Sequence, residues 1–258
     1  MNKNFFVVIP ARLSSVRFPK KVLYSIFGKP MIIRVLENAL KSNAKKVIVA
    51  TDNKKIRDII LRRTEKNILV CMTCNTHQSG TERISEVINK YNLHHEDVIV
   101  NVQADEPFIS SNIINKVANS IFLKKTNIST VACNIHKKED LLNPSIVKVI
   151  LNKKNYALYF SRAPIPFKYS SINSEILIEK EKKHYFHHIG IYAYRVFSIL
   201  NYIKWGESPI EKIEMLEQLR YLWNEEKIYV LLINNHRIFS INEIKDIEKT
   251  KNFSNTYR

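Results

Sequence analysis

Through the first half of the chain, short apolar runs alternate with segments of helical spacing. Residues 5–10, 46–51, 68–72 and 97–103 are runs rich in Val and Ile, and they read as buried strands. Between them, 30–42, 53–63 and 80–91 place apolar side chains three and four residues apart. In the first of these, Ile32, Ile33, Leu36 and Leu40 share one face, and Pro30 suits an opening helical turn. Regular strand–helix alternation predicts a parallel sheet with right-handed crossovers.

The second half changes character. Segments 128–135, 145–151, 156–161 and 187–195 read as strands with longer connections and fewer helices. The lysine-rich stretch 170–184 reads as an exposed loop. Ser208-Pro209-Ile210-Glu211 carries a capping serine, a proline at the first helical position and a glutamate at the third. That pattern predicts a helix running to about Trp223, with Glu211 serving the cap rather than a ligand. A strand at 228–233 and a helix from about Glu243 complete the chain. The simplest architecture is one α/β domain with an inserted or appended lobe.

Composition narrows the function classes. With 258 residues and 45% hydrophobic content, the chain can bury a substantial core. No run approaches the length of a bilayer span, so membrane insertion is not expected. Met1-Asn2-Lys3-Asn4 leads straight into a strand without a cleavable signal pattern, which predicts a cytoplasmic protein. The net charge of +17 raises nucleic-acid binding. The lysines are dispersed, however, among many Asn and Ile residues and only 4 glycines. The charge therefore reads as a compositional bias that aids capture of anionic substrates, and no nucleic-acid partner is expected. Cys71 and Cys74 form a C-x-x-C followed by His77, but Cys71 falls inside an apolar run and Cys133 is distant. These read as ordinary thiols.

Candidate chemistry gathers at two strand ends. Asn101-Val102-Gln103-Ala104-Asp105-Glu106-Pro107 follows a buried strand, placing carboxylates at the sheet edge where α/β proteins bind ligands. The loop after the first strand carries Arg12, Arg17 and Lys21. Nucleotidyl transfer needs positive groups around a triphosphate, a metal to organise the phosphate oxygens, and a pocket that aligns the attacking hydroxyl. The basic loop suits the first need, and Asp105 suits the second. The two together point to a nucleotidyltransferase.

Ile9-Pro10-Ala11-Arg12 through Lys20-Lys21, then Gly28-Lys29-Pro30-Met31-Ile32, resembles the opening of the sugar-acid cytidylyltransferases. Further segments resemble one family among them, the 3-deoxy-manno-octulosonate (Kdo) cytidylyltransferases, or CMP-Kdo synthetases. They are Ala50-Thr51-Asp52, His77–Arg83, Val100–Pro107, Tyr156–Pro166, His187–Tyr192 and Ser208–Arg220. The likeness runs in order from about residue 5 to 250. It implies a Rossmann-like nucleotidyltransferase fold, mostly parallel and flanked by helices, with a smaller sugar-binding and dimerisation lobe. On that reading 1–258 is a single domain. Residues 1–125 bind nucleotide, 126–225 bind sugar and dimerise, and the C-terminal strand and helix return to the core.

The resemblance also implies the reaction of CTP with Kdo to give CMP-Kdo and diphosphate, for lipopolysaccharide biosynthesis, with magnesium (Mg2+) as cofactor and a homodimeric enzyme. Related nucleotidyltransferases for another sugar acid or polyol, and a degraded low-activity member, are the alternatives. By this likeness Arg12, Ser15, Arg17 and Lys21 contact the triphosphate, and Gly80 and Arg83 the cytosine. Gln103, Arg162, His188, Glu214 and Gln218 contact the sugar, with Glu217 a weaker candidate, and Arg12, Lys21 and Asp105 are catalytic. His188 has an alternative reading as a core histidine. Glu214 and Gln218, four apart on the predicted helix, are expected to face one side. Asp105 binds the metal; the second metal aspartate is replaced by Asn242, or by Ser240 in an ungapped match. Two glycines of the pattern are also replaced, by Lys20 and Ala104. The first loses backbone freedom; the second adds a methyl group expected to crowd a nucleotide or restrict the backbone.

Overall fold

The computed structural model describes residues 4–13, 18–169, 182–234, 241 and 246–247. Strand β1 (Phe5–Ala11) lies at the centre, buried at every position but Pro10. A tight hairpin follows, β2 (Ser25–Ile26) and β3 (Lys29–Pro30). Its two connecting residues, Phe27 and Gly28, both have positive φ (49° and 79°), the turn geometry whose twist suits paired strands. Then come α1 (Met31–Leu40), β4 (Lys46–Thr51), α2 (Lys54–Leu61), β5 (Ile68–Met72), α3 (Gly80–Lys90) and β6 (Val98–Asn101). Asn53 caps α2 by accepting from the Lys55 amide at 2.9 Å, and Ser79 caps α3 by accepting from Glu82 at 3.1 Å. Strands β6, β1, β4 and β5 are neighbours and mutually parallel. The alternation read from the sequence therefore corresponds to the observed sheet.

Helix α4 (Ser111–Lys124) lies outside the helical segments assigned from the sequence, although Ile113, Ile114, Val117, Ala118 and Ile121 bury one face of it. After it come β7 (Ile128–Asn134), α5 (Lys138–Leu142), β8 (Lys148–Leu151), β9 (Ala157–Ser161), β10 (Phe186–Arg195) and α6 (Val196–Lys204). Helices α7 (Pro209–Glu214) and α8 (Leu219–Trp223) and strand β11 (Ile228–Leu232) follow. The main sheet runs β11-β7-β10-β6-β1-β4-β5, with β8 and β9 branching from β10. Strand β10 is antiparallel to both β6 and β7. Tyr192 pairs with Asn101, so Gly190 and His188 project past the end of β6, beside the segment that carries Asp105. An antiparallel insertion thus brings second-half residues to the ligand edge of the parallel half.

One expectation is corrected here. The helix from Pro209 does not run on to Trp223. It stops at Glu214, Met215 turns left-handed (φ 52°, ψ 48°), and α8 begins at Leu219. The capping box at Ser208 and Glu211 is present as expected. Arg220 reaches back with Nε and Nη2 to the two carboxylate oxygens of Glu211, each at 2.8 Å, and its guanidinium lies 3.9 Å from the centre of the Tyr202 ring. This buried clasp joins the two helices across the break. A non-glycine residue in the left-handed region costs about 1–2 kcal/mol.

Candidate active site

A cavity of about 350 Å³ opens where the ends of β6 and β10 meet the turn between α7 and α8. Gln103, Asp105, His188 and Gln218, four of the residues proposed from the sequence, line it together. Lys21 sits on a one-turn 3-10 helix (Lys21–Leu23), and its Nζ lies 2.6 Å from Asp105 Oδ2. A larger groove of about 660 Å³ lies between α4 and β11. Its walls carry Lys116, Lys124, serine and asparagine side chains and apolar ones, with no carboxylate or imidazole among them. Chemistry therefore favours the smaller cavity.

The other proposed residues are placed differently. Arg12 is exposed immediately beyond β1. Ser15, Arg17, Ser240 and Asn242 lie outside the described residues. Ile241, between the last two, is fully buried, and its amide donates to the Asp105 carbonyl at 3.0 Å. Gly80 begins α3 against Pro10, where an added Cβ would meet the proline ring at 3.6 Å. Arg83 is a buried clamp. It donates to Asp52 Oδ2 at 3.0 Å, to the Cys74 carbonyl at 3.3 Å and to the Thr73 hydroxyl, tying the ends of β4 and β5 to α3.

Glu214 and Arg162 line no part of the cavity. Glu214 accepts from Ser161 Oγ at 2.6 Å and the Arg162 amide at 2.9 Å, while the Arg162 guanidinium donates to the carbonyls of Glu214, Met215 and Pro144. Because the helix breaks at Met215, Glu214 and Gln218 do not share a face, and Glu217 enters the cavity with Gln218 instead. Periodicity alone placed Glu214, rather than Glu217, beside Gln218.

Asn101 also lines the cavity and was not singled out from the sequence. Only 3% of it is exposed, and its Oδ1 has no hydrogen-bond partner among the described residues. The available signal was its position two residues before Gln103, because residues two apart in an extended strand face the same side. The added methyl of Ala104 is buried in the apolar core, Ala104 is not part of the cavity lining, and its φ is not positive. Of the two expected effects, the restricted backbone is not seen.

Lys20, by contrast, occupies the left-handed region (φ 57°, ψ 24°) at a place where glycine was expected. The loop shape persists and the lysine carries its strain. Lys20→Gly is expected to stabilise the fold by about 0.5–1 kcal/mol, raising Tm by about 2 °C. Calorimetry showing an unchanged or lower Tm would reject that account.

Both histidines at the start of β10 are held neutral. Burial and the nearby Lys148 charge lower His187 to about 4, and burial with His187 lowers His188 to about 3. His188 Nε2 lies 3.0 Å from the Thr130 hydroxyl, which itself donates to the Ile191 carbonyl at 2.8 Å. The imidazole is then the Nε2–H tautomer, with Nδ1 left as an acceptor. Glu217 is exposed and lines the cavity. Crowding by protein raises its carboxyl, while the Thr81 hydroxyl at 3.1 Å opposes the shift.

Acid sensitivity follows with a definite sign. Between the unfolded histidine value of about 6.5 and the lowered folded values, the unfolded chain binds protons that the folded chain does not. Stability therefore falls as pH drops below about 6.5, by up to ~1.4 kcal/mol per pH unit for each histidine, with Glu217 opposing. In urea titrations between about pH 7 and about pH 5, His188→Asn should show the shallower loss. Parallel slopes for the two proteins would refute this assignment.

Comparison with known proteins agrees with this geometry. Residues 6–228 match the family model described as cytidylyltransferase. The 3-deoxy-manno-octulosonate cytidylyltransferase of Photorhabdus laumondii is 49% identical over 228 residues, covering 88% of this chain and 89% of that protein. The chain belongs to the 3-deoxy-manno-octulosonate cytidylyltransferase family. The family's protein from Pasteurella multocida is 44% identical over 257 residues, covering 96% and 97% of the two chains. Among solved structures, a CMP:2-keto-3-deoxy-manno-octonic acid synthetase complexed with CTP superposes with a TM-score of 0.86 at 32% identity, covering 99% of this chain and 100% of that one. The 4-diphosphocytidyl-2C-methyl-D-erythritol synthase of Anaerococcus prevotii shares the fold alone, with a TM-score of 0.64 at 13% identity.

Proposed function

We propose that the protein transfers the cytidylyl group of CTP to Kdo, forming CMP-Kdo and diphosphate for lipopolysaccharide biosynthesis. The observation that carries this reading is the pairing of Asp105 with Lys21 at one side of a cavity whose other side presents Gln103, His188, Glu217 and Gln218. The anomeric hydroxyl oxygen of the sugar bonds to the α-phosphorus, the bond from that phosphorus to the bridging oxygen breaks to release diphosphate, and the hydroxyl proton passes to solvent. Lys21, with Arg12, Ser15 and Arg17 on the same loop, neutralises charge on the triphosphate and the leaving diphosphate. Gly80 and Arg83 belong to the segment assigned to the cytosine. Neutral His188 offers an acceptor, and Glu217 and Gln218 hydrogen-bond the sugar hydroxyls. Glu214 and Arg162 act behind that wall, through the backbone they hold.

The donor chemistry suits magnesium. Among the described residues there is no cluster of three potential metal ligands, but this ion commonly uses one or two carboxylates together with substrate phosphates. Asp105 would hold it, with Asn242 the proposed second oxygen ligand, next to Ile241 and its bond to Asp105. When bound, the ion would neutralise phosphate charge and orient the oxygens around the α-phosphorus.

We take the enzyme to be a cytoplasmic homodimer that binds no nucleic acid. Exposed Phe167, Tyr169, Ile213 and Met215 support a protein contact on the second-half lobe, and no helix among the described residues is long and apolar enough to cross a membrane. Diphosphate release measured with CTP and Kdo, against ATP, GTP and UTP and against other acidic sugars, tests the reading. Turnover confined to CTP with Kdo is expected; a preference for another nucleotide or sugar would replace it.

A further inference from the structure

Lys148, at the first position of β8, is a lysine with no exposed surface whose described hydrogen-bond partners are all carbonyl oxygens, with the Glu214 carboxylate acting on it through its charge alone. Its Nζ donates to the carbonyls of Asn143 at 3.0 Å, Ile146 at 2.6 Å and Arg162 at 2.6 Å, using all three ammonium hydrogens. Two of these acceptors belong to the turn between α5 and β8, whose Ser145 and Val147 line the cavity. The third belongs to Arg162, whose guanidinium grips the carbonyls of Glu214 and Met215 immediately before the cavity-lining Leu216, Glu217 and Gln218. One buried ammonium therefore joins two walls of the cavity that are remote in sequence. A buried cation loses solvation, so its presence there calls for a compensating role. No apolar side chain of similar size can hold three converging carbonyls together.

We propose that Lys148 is a positioning residue for the sugar acid, fixing the spacing between the Ser145–Val147 wall and the Glu217–Gln218 wall through its three carbonyl bonds. The inference rests on the reading of this cavity as the sugar site. Lys21 and Asp105 bond neither to Lys148 nor to its three carbonyl acceptors, so the nucleotide side is independent of it. Loss of the ammonium should weaken capture of the sugar and leave capture of CTP alone.

The test is steady-state kinetics on the full chain with Lys148→Met, varying Kdo and CTP separately. The expected result is a rise in KM for Kdo of about tenfold, with KM for CTP within about twofold of the parent. A purely structural lysine would lower the active fraction instead, reducing kcat with both KM values unchanged. That result, an equal rise in both KM values, or unaltered kinetics would overturn the proposal. Should Lys148→Met fail to fold, Asn143→Ala decides. It removes the side-chain oxygen that accepts from the Ser145 amide at 2.9 Å in the same turn, and should raise KM for Kdo by about threefold, again sparing CTP. Unchanged kinetics in that variant would count against the proposal. Parent protein run in parallel separates the two readings, because absence of turnover with Kdo in the parent would remove the functional reading and this inference with it.

Discussion

Asp105→Ala is expected to lower turnover by about 10³-fold or more, the equivalent of several kcal/mol of lost transition-state stabilisation, while the protein stays folded. Asp105 is partly exposed and lies at the ligand edge of the sheet, and its only described side-chain partner is Lys21. Its backbone carbonyl, which accepts from Ile241, survives the substitution. The loss therefore falls on chemistry rather than on packing. Removing the carboxylate takes away the proposed anchor for a divalent cation and frees Lys21 from its pairing. The check is a rate titration against magnesium, together with circular dichroism. Near-parental turnover at limiting magnesium would show that Asp105 is not the metal ligand.

The largest effect on stability is expected at Arg220. Arg220→Met should destabilise the fold by about 3–5 kcal/mol, the usual cost of leaving one member of a buried ion pair unpaired. Glu211 would remain beneath the surface with both carboxylate oxygens deprived of their guanidinium partner, and the bonds from Arg220 to the Tyr202 and Trp205 carbonyls would also be lost. Replacing both members, Glu211→Met with Arg220→Met, should recover much of that loss, because no buried charge is then stranded. Denaturant unfolding of the single and double variants measures both steps. A single-variant loss below about 1 kcal/mol would mean that the pair is solvated and contributes little.

The alternating apolar runs of the first half determined β1, β4, β5 and β6 and the helices between them, because a strand buried on both faces must be apolar along its length. The acidic strand end and basic loop likewise located the cavity containing Asp105, and Lys21 beside it, since parallel strands fix which end carries ligands. Local sequence also determined the capping box at Ser208 and Glu211, whose partners are three residues apart. It did not determine where that helix ends. The break falls at left-handed Met215, and Arg220 folds back onto Glu211 across it. With the helix broken there, Glu217 and not Glu214 enters the cavity. The contacts of Arg83, Arg162 and Lys148 were also decided in three dimensions. Each is a cation occupied by carbonyls, hydroxyls or carboxylates from elements that only the folded sheet brings within reach. Periodicity reports which face of a segment is buried; the partner waiting there is supplied by distant parts of the chain.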